Sequence, residues 1–205
     1  MLEAITKRSP MCVRNKFLVS ALVTLSLCAA SNAQSGGSAQ TQKPAQPETK
    51  LEEFLGERGR LVVKDFYQLG RISSLGSAQM DALVISEPGS SQKTKGLRIE
   101  VTESGSLERS NISFIDFDEL KSLSEALSYI SNLAAKWDGQ QNEPYTEVTY
   151  VSKGEFEVGF FQTGKKTSAF IRSGLIGPAT AYLKISDVDR LKAMVDQAST
   201  LLNSK

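Results

Sequence analysis

The fold is decided by a unit that reads ISFIDFDEL over residues 112–120 and is repeated as TAYLKISDV over residues 180–188. Each copy begins with the apolar alternation of a strand and continues into apolar positions with helical spacing. These positions are Leu120, Leu123, Leu127 and Ile130 in the first copy, and Val188, Leu191, Val195 and Ala198 in the second. We expect Asp118 and Ser186 to cap the two helices. The repetition predicts that one structural unit occurs twice.

Four strand-like runs precede each predicted helix. They cover residues 61–68, 80–86, 97–103 and 111–117 in the first half, and residues 145–152, 155–162, 166–173 and 180–185 in the second. Short turn-forming connections between them indicate antiparallel pairing. The pattern predicts an α+β domain of two pseudo-symmetric ββββα repeats, over about 60–137 and 145–205, whose antiparallel sheets pack on two amphipathic helices. One repeat alone would leave much of its apolar sheet face in water, so we expect the halves to depend on each other.

The N-terminal segment, residues 1–33, has the three parts of a secretory signal peptide. An apolar run covers residues 17–27, and small residues lead up to Ala33. The basic residues ahead of the run are Lys7, Arg8, Arg14 and Lys16. We therefore expect cleavage after Ala33 and a protein that is periplasmic or secreted.

The N-terminal sequence allows alternatives for the initiator methionine and for how the signal segment is processed. The segment from Met11 is already a complete signal, so either Met1 or Met11 is the start. A lipoprotein signal needs a small residue before its cysteine, and Leu27 before Cys28 fits that requirement poorly. An uncleaved anchor is a third alternative, although the apolar run is short for a membrane span.

The chain after the predicted cleavage site divides into a linker and one domain. Residues 34–48 are mostly Ser, Gly, Gln, Ala, Thr and Pro, a composition typical of a flexible linker. Residues 49–205 carry the two repeats. At the start of this domain, Thr49 and Glu52 have the spacing of a capping box, which predicts a short helix over residues 50–57.

The composition excludes several chemistries. The chain has no histidine, and both cysteines, Cys12 and Cys28, lie inside the predicted signal peptide. A Ser-His-Asp triad, a thiol nucleophile and a Cys/His metal site are therefore excluded from the mature chain. We expect no metal and no cofactor.

The charge of the mature chain argues against a nucleic-acid partner. Four of the 24 basic residues and one of the 23 acidic residues lie before position 34, so the remaining chain has a formal net charge of −2. Proteins that bind nucleic acid present a clearly basic face. We expect no nucleic-acid partner, and no transmembrane segment after the signal peptide.

The order of strands and helices resembles the architecture of the Whirly and PUR families, whose repeats are also four strands followed by a helix. The resemblance covers residues 61–203 and implies a shared topology. Those families bind single-stranded nucleic acid, but the lysine- and glycine-rich strand motif associated with Whirly proteins is not present here. The sequence over residues 114–130 and 147–185 is also similar to that of secreted bacterial proteins. Neither resemblance assigns a functional residue.

Two basic hairpins are the first candidate site. Lys93 and Lys95 lie in one, and Lys165 and Lys166 in the other, each between the second and third strands of its repeat. Ammonium groups and backbone amides at such tips could hold an anion, such as a phosphate or a polysaccharide carboxylate. The alternative is that these lysines are ordinary solvated residues that protect a turn or an edge.

Two aromatic residues that the repeat makes equivalent are the second candidate site. Phe114 and Tyr182 alternate away from the predicted core positions of their strands. An exposed aromatic face could bind a ligand or a partner protein. The alternative is that the N-terminal helix, a second layer or another subunit covers this face.

The sequence favours a non-catalytic, exported binding or interaction module whose ligand is another protein or an anionic or small molecule. Asp116 and Asp118 are spaced like paired acid/base groups on a strand, but helix capping and strand exposure explain them better. The alternatives are a secreted enzyme that depends on carboxylates or lysines, and a protein that binds single-stranded nucleic acid.

Overall fold

The computed structural model describes residues 48–105 and 108–205. The predicted signal peptide and nearly all of the predicted linker lie outside the described residues. The helices are α1 (Lys50–Gly56), α2 (Leu120–Trp137) and α3 (Ile185–Asn203). The strands are β1 (Val63–Ser74), β2 (Gly76–Ser86), β3 (Lys93–Thr102), β4 (Ser110–Asp116), β5 (Asn142–Val151), β6 (Phe156–Gly164), β7 (Lys166–Ser173) and β8 (Ala179–Leu183).

The strands form two antiparallel sheets of four, in the orders β1-β2-β3-β4 and β5-β6-β7-β8. The predicted α+β class with two ββββα units is therefore confirmed. The first hairpin is longer than predicted, because β1 and β2 extend through residues 69–79 to a tight turn. Gly76 allows this turn: its φ is +98°, and a Cβ atom there would lie 2.7 Å from Ala181 Cβ.

Each helix packs on the sheet of the other repeat. Helix α2, from the first repeat, lies against β5 and β6, whereas α3, from the second, lies against β1, β2 and β3. The two helices also contact each other, and α3 touches β7. Their apolar stripes and the inner faces of both sheets form one continuous buried core.

Direct bonds join the two sheets. The hydroxyls of Ser113 on β4 and Ser173 on β7 lie 2.7 Å apart and are both buried. At the other edge, Leu75 and Tyr182 exchange two backbone hydrogen bonds of 3.2 and 2.8 Å. Because a buried hydroxyl is costly without a partner, the serine pair fixes how the sheets meet.

Two predicted helix caps are wrong. A 3-10 turn, Phe117–Glu119, precedes α2, so Asp118 is not its N-cap. Helix α3 begins one residue earlier than Ser186, and Lys184 is its N-cap, with the Asp187 carboxylate accepting the Lys184 N–H at 3.2 Å. Several residues near the start of each helix are of types that cap helices. The backbone conformation after the strand determines where the helix begins and therefore which residue is the N-cap.

The predicted capping box of α1 is confirmed. Thr49 Oγ1 accepts the Glu52 N–H at 3.1 Å, and the Glu52 carboxylate accepts the Thr49 N–H at 3.2 Å. The N-terminus of α1 has a second acceptor, which is remote in sequence. The Asp116 carboxylate accepts the N–H groups of Lys50 and Leu51 at 2.8 and 3.2 Å. Asp116 therefore holds α1 against the end of β4.

Candidate binding face on the second sheet

Helix α1 covers the part of the first sheet's outer face that lies on β3 and β4, whereas Phe66 on β1 stays 51% exposed. Leu51 is fully buried on this face with Leu83 and Ile85, and Phe114 is half-buried beside them. Gly96 provides the space, since a Cβ atom there would lie 2.6 Å from Leu51 Cδ1. Phe114, a predicted site residue, is therefore a packing residue under α1.

The outer face of the second sheet carries four aromatic rings in contact, Tyr145, Phe161, Phe170 and Tyr182, which we name the aromatic face. The ring centroid of Phe161 lies 5.9 Å from that of Tyr145, 6.3 Å from that of Phe170 and 6.2 Å from that of Tyr182. Phe170 is buried in the floor, whereas Tyr145 is 60% exposed and Tyr182 is 45% exposed. No described helix covers these two tyrosines.

Charged side chains border the aromatic face. The Arg172 guanidinium lies 5.4 Å from the centre of the Phe170 ring and forms a 2.7 Å ion pair with Glu157. The Tyr145 hydroxyl donates a hydrogen bond to Glu147, and this bond to a carboxylate raises the pKa of Tyr145. The face thus has an apolar centre and a charged rim, as protein-contact surfaces do.

A groove of about 590 Å³ opens beyond Arg172, at the end of the face where β7 turns into β8. Three of the four carboxylates that line it are engaged. Glu157 pairs with Arg172, Glu103 lies 3.1 Å from Arg109, and the Glu155 carboxylate accepts the Leu175 N–H at 2.8 Å. These three carboxylates are held in place and shape a polar recess, which Glu48 also lines.

The structure does not bring the four candidate lysines into one site. Lys93 and Lys95 bind the C-terminal end of α3, donating to the carbonyls of Lys205 and Leu202 at 2.9 and 3.0 Å. Cations are favourable at this end of a helix, so both lysines have a structural role. Lys165 and Lys166 are exposed on the β6–β7 hairpin.

The remaining candidate carboxylates also have structural partners. Asp116 holds α1, and Asp118 forms an exposed ion pair with Lys50 at 2.8 Å. The hydrogen bond from the Lys50 ammonium lowers the pKa of Asp118. Both carboxylates therefore contact the start of α1.

Sequence reasoning identified Tyr182 and, separately, Tyr145 with Trp137 as a possible pocket rim, but it missed Phe161 and Phe170 and the contact among the four rings. The available signal was the alternation along β6 and β7: Phe161 and Phe170 fall on the face opposite to the core residues Phe160, Ala169 and Ile171. Tyr145 lies where the register of β5 on β6 shifts, between Asn142 and Thr146, so simple alternation did not place it on this face.

The chain matches no protein-family model, no curated protein and no solved structure. Within residues 48–105 and 108–205, no three Asp or Glu side chains come together as metal ligands would. None of the helices in that part of the chain has the length and apolar character needed to cross a membrane.

Proposed function

We propose that the protein is an exported, non-catalytic binding module that holds a partner polypeptide on its aromatic face. One observation carries the proposal: the two sheets present corresponding outer faces, and α1 covers the part of the first that corresponds to the aromatic face, over which no described helix lies. Burying apolar surface is worth roughly 25 cal/mol per Å², so an uncovered cluster of rings favours association. Apolar patches with a polar border mark contact sites on protein surfaces.

A polypeptide suits the aromatic face better than a flat ligand does. The rings of Phe161 and Tyr182 are inclined at 85°, and those of Tyr145 and Phe161 at 32°. A sugar ring or a base stacks on a ring plane that is open to it. Inclined rings leave clefts between them, into which aliphatic side chains fit.

The exported location belongs to the same proposal and rests on the N-terminal sequence pattern. Expression of the full chain in a bacterial host should yield protein in the periplasmic fraction whose first residue is Gln34. N-terminal sequencing of this material provides the measurement. A cell-associated chain that still begins at Met1 or Met11 would contradict export by a cleaved signal.

The Tyr182→Ala variant tests the binding role of the aromatic face. The probe is a set of peptides selected from a phage-displayed library of random 16-residue sequences against the full chain. Removing an exposed ring of a binding surface should weaken their binding at least about tenfold, measured as Kd by titration calorimetry. Tyr182 is half-exposed, so the variant should remain folded, and its thermal unfolding is measured in parallel.

Tyr129→Ala is the matched control. Tyr129 is a tyrosine of similar exposure, 64%, on α2 and away from the aromatic face. Its loss should leave peptide binding unchanged. Peptides that bind both variants equally well, or a selection that recovers no binder, would contradict the proposal. An oligothymidine whose binding disappears in Tyr182→Ala would instead favour the nucleic-acid alternative.

A further inference from the structure

We infer that the partner segment on the aromatic face is a short amphipathic helix, with an acidic group at Lys184. The inference rests on the proposed function, because it names the occupant of the same surface. The first sheet provides the reason. On its outer face, Leu83, Gly96, Phe114 and Asp116 form a site that we name a socket, and this socket is occupied by a helix, α1.

The two sockets correspond through their positions before the helices. Asp116 is the last residue of β4 and Lys184 directly follows β8, and each precedes the first helical turn of its repeat. Two residues earlier in each strand, Phe114 corresponds to Tyr182. The aromatic ring and the charged residue after it therefore occupy the same places in both sockets.

The floors of the sockets also correspond. In the first sheet, the large apolar Leu83 pairs with Gly96, and in the second, Phe161 pairs with Ser168. In the first socket, Leu51 of α1 packs directly over the small residue, Gly96. Ser168 is small but has a side chain, so the second floor is shallower at this position, and an apolar side chain from a helix would rest beside Phe161 and above Ser168.

An extended segment is a poorer occupant than a helix. The aromatic face spans all four strands, and its centre, Phe161 and Phe170, lies on β6 and β7, whose backbone groups are already paired on both sides. A strand laid across this face would bury backbone N–H and C=O groups without partners. A helix satisfies its own backbone groups and presents apolar side chains at a spacing of three and four residues.

The charged residue of the socket is acidic in the first sheet and basic in the second. Asp116 accepts two N–H groups at the N-terminus of α1. Lys184 is exposed, and within the described residues its ammonium makes no hydrogen bond or ion pair. Because the start of a helix carries partial positive charge, Lys184 disfavours a helix N-terminus and favours an acidic side chain or a helix C-terminus.

Peptides from the library described above test this inference. The selected sequences should carry apolar residues at positions i, i+3, i+4 and i+7, with Asp or Glu at one end. Each is compared with a variant that has proline at its centre, which breaks a helix. The proline variant should bind the full chain at least about tenfold more weakly.

The Lys184→Glu variant tests the charge, and Lys165→Glu, at an exposed hairpin lysine, is its matched control. Binding should weaken at least about fivefold with Lys184→Glu and stay unchanged with Lys165→Glu, with Lys184→Gln giving an intermediate loss. Circular dichroism verifies that each variant is folded. Peptides that depend on Tyr182 but tolerate the proline or Lys184→Glu overturn the helix inference and leave the proposed function intact. Peptides indifferent to Tyr182→Ala overturn both.

Discussion

At the scale of single residues, carboxylates connect parts of the chain that are far apart in sequence. The Asp116 carboxylate reaches the start of α1 across 66 residues of chain. Asp196 on α3 accepts from Ser124 on α2 at 2.6 Å and from the Lys192 ammonium at 2.5 Å. Such bonds to a charged group are stronger than those between neutral groups.

The Asp196 contact predicts a pH dependence of stability. Hydrogen bonds from Lys192 and then from Ser124 lower the pKa of Asp196 in the folded protein. The stabilisation that the ionised Asp196 carboxylate gives the folded protein is therefore complete above the unfolded-state pKa of about 3.9. It is lost as the pH falls through the lower pKa of the folded protein. Asp196→Asn should reduce the free energy of unfolding by about 0.5–1 kcal/mol at pH 7, a modest loss because the group is half-exposed.

Urea unfolding at pH 7 and at about pH 3 measures this effect. The difference between Asp196→Asn and the unchanged protein should shrink as the pH falls below about 4. Glu108→Gln, at an exposed loop position, is the control and should show no difference at either pH. If Asp196→Asn lowers the free energy of unfolding by the same amount at both pH values, the stabilisation does not come from the ionised carboxylate.

At the scale of elements, α1 shows how one short helix decides the character of a surface. Seven residues are too few for a helix that is stable by itself, so α1 depends on its capping box, on Asp116 and on the burial of Leu51. The sequence predicted this helix from Thr49 and Glu52. It did not predict Asp116 as a cap, since that residue lies in a distant strand.

Asp116→Ala is expected to release α1 from the sheet. Two N–H groups would lose their acceptor, which should cost about 1–3 kcal/mol and lower amide hydrogen-exchange protection over residues 50–56. Asp118→Ala is the matched control, because its ion pair with Lys50 is exposed on both sides and should contribute little. Equal exchange over residues 50–56 in the two variants would show that Asp116 does not hold the helix.

At the scale of the whole molecule, the exchange of helices between repeats makes one cooperative unit. Helix α2 covers β5 and β6, and α3 covers β1, β2 and β3. The repeat predicted the apolar stripes of both helices and the need to cover two sheets. It did not predict which sheet each helix covers, because apolar periodicity identifies a buried face but not the distant face that it contacts.

The exchange predicts that neither half folds alone. Fragments 48–141 and 142–205 should each lack a cooperative thermal transition by circular dichroism, because each sheet loses the helix that covers it. Mixing the fragments should restore the transition. A fragment that melts cooperatively by itself would show that its own helix can cover its own sheet.

The sequence by itself determined the two ββββα repeats, the antiparallel pairing, the apolar stripes of the helices and the start of α1. These features follow from local alternation, spacing and turn residues, which act over a few positions. Only the tertiary structure decided that Phe114 is covered while Tyr182 is exposed. Both have the same pattern along their strands, and the difference arises from α1, which the distant Asp116 fixes over one sheet and not the other.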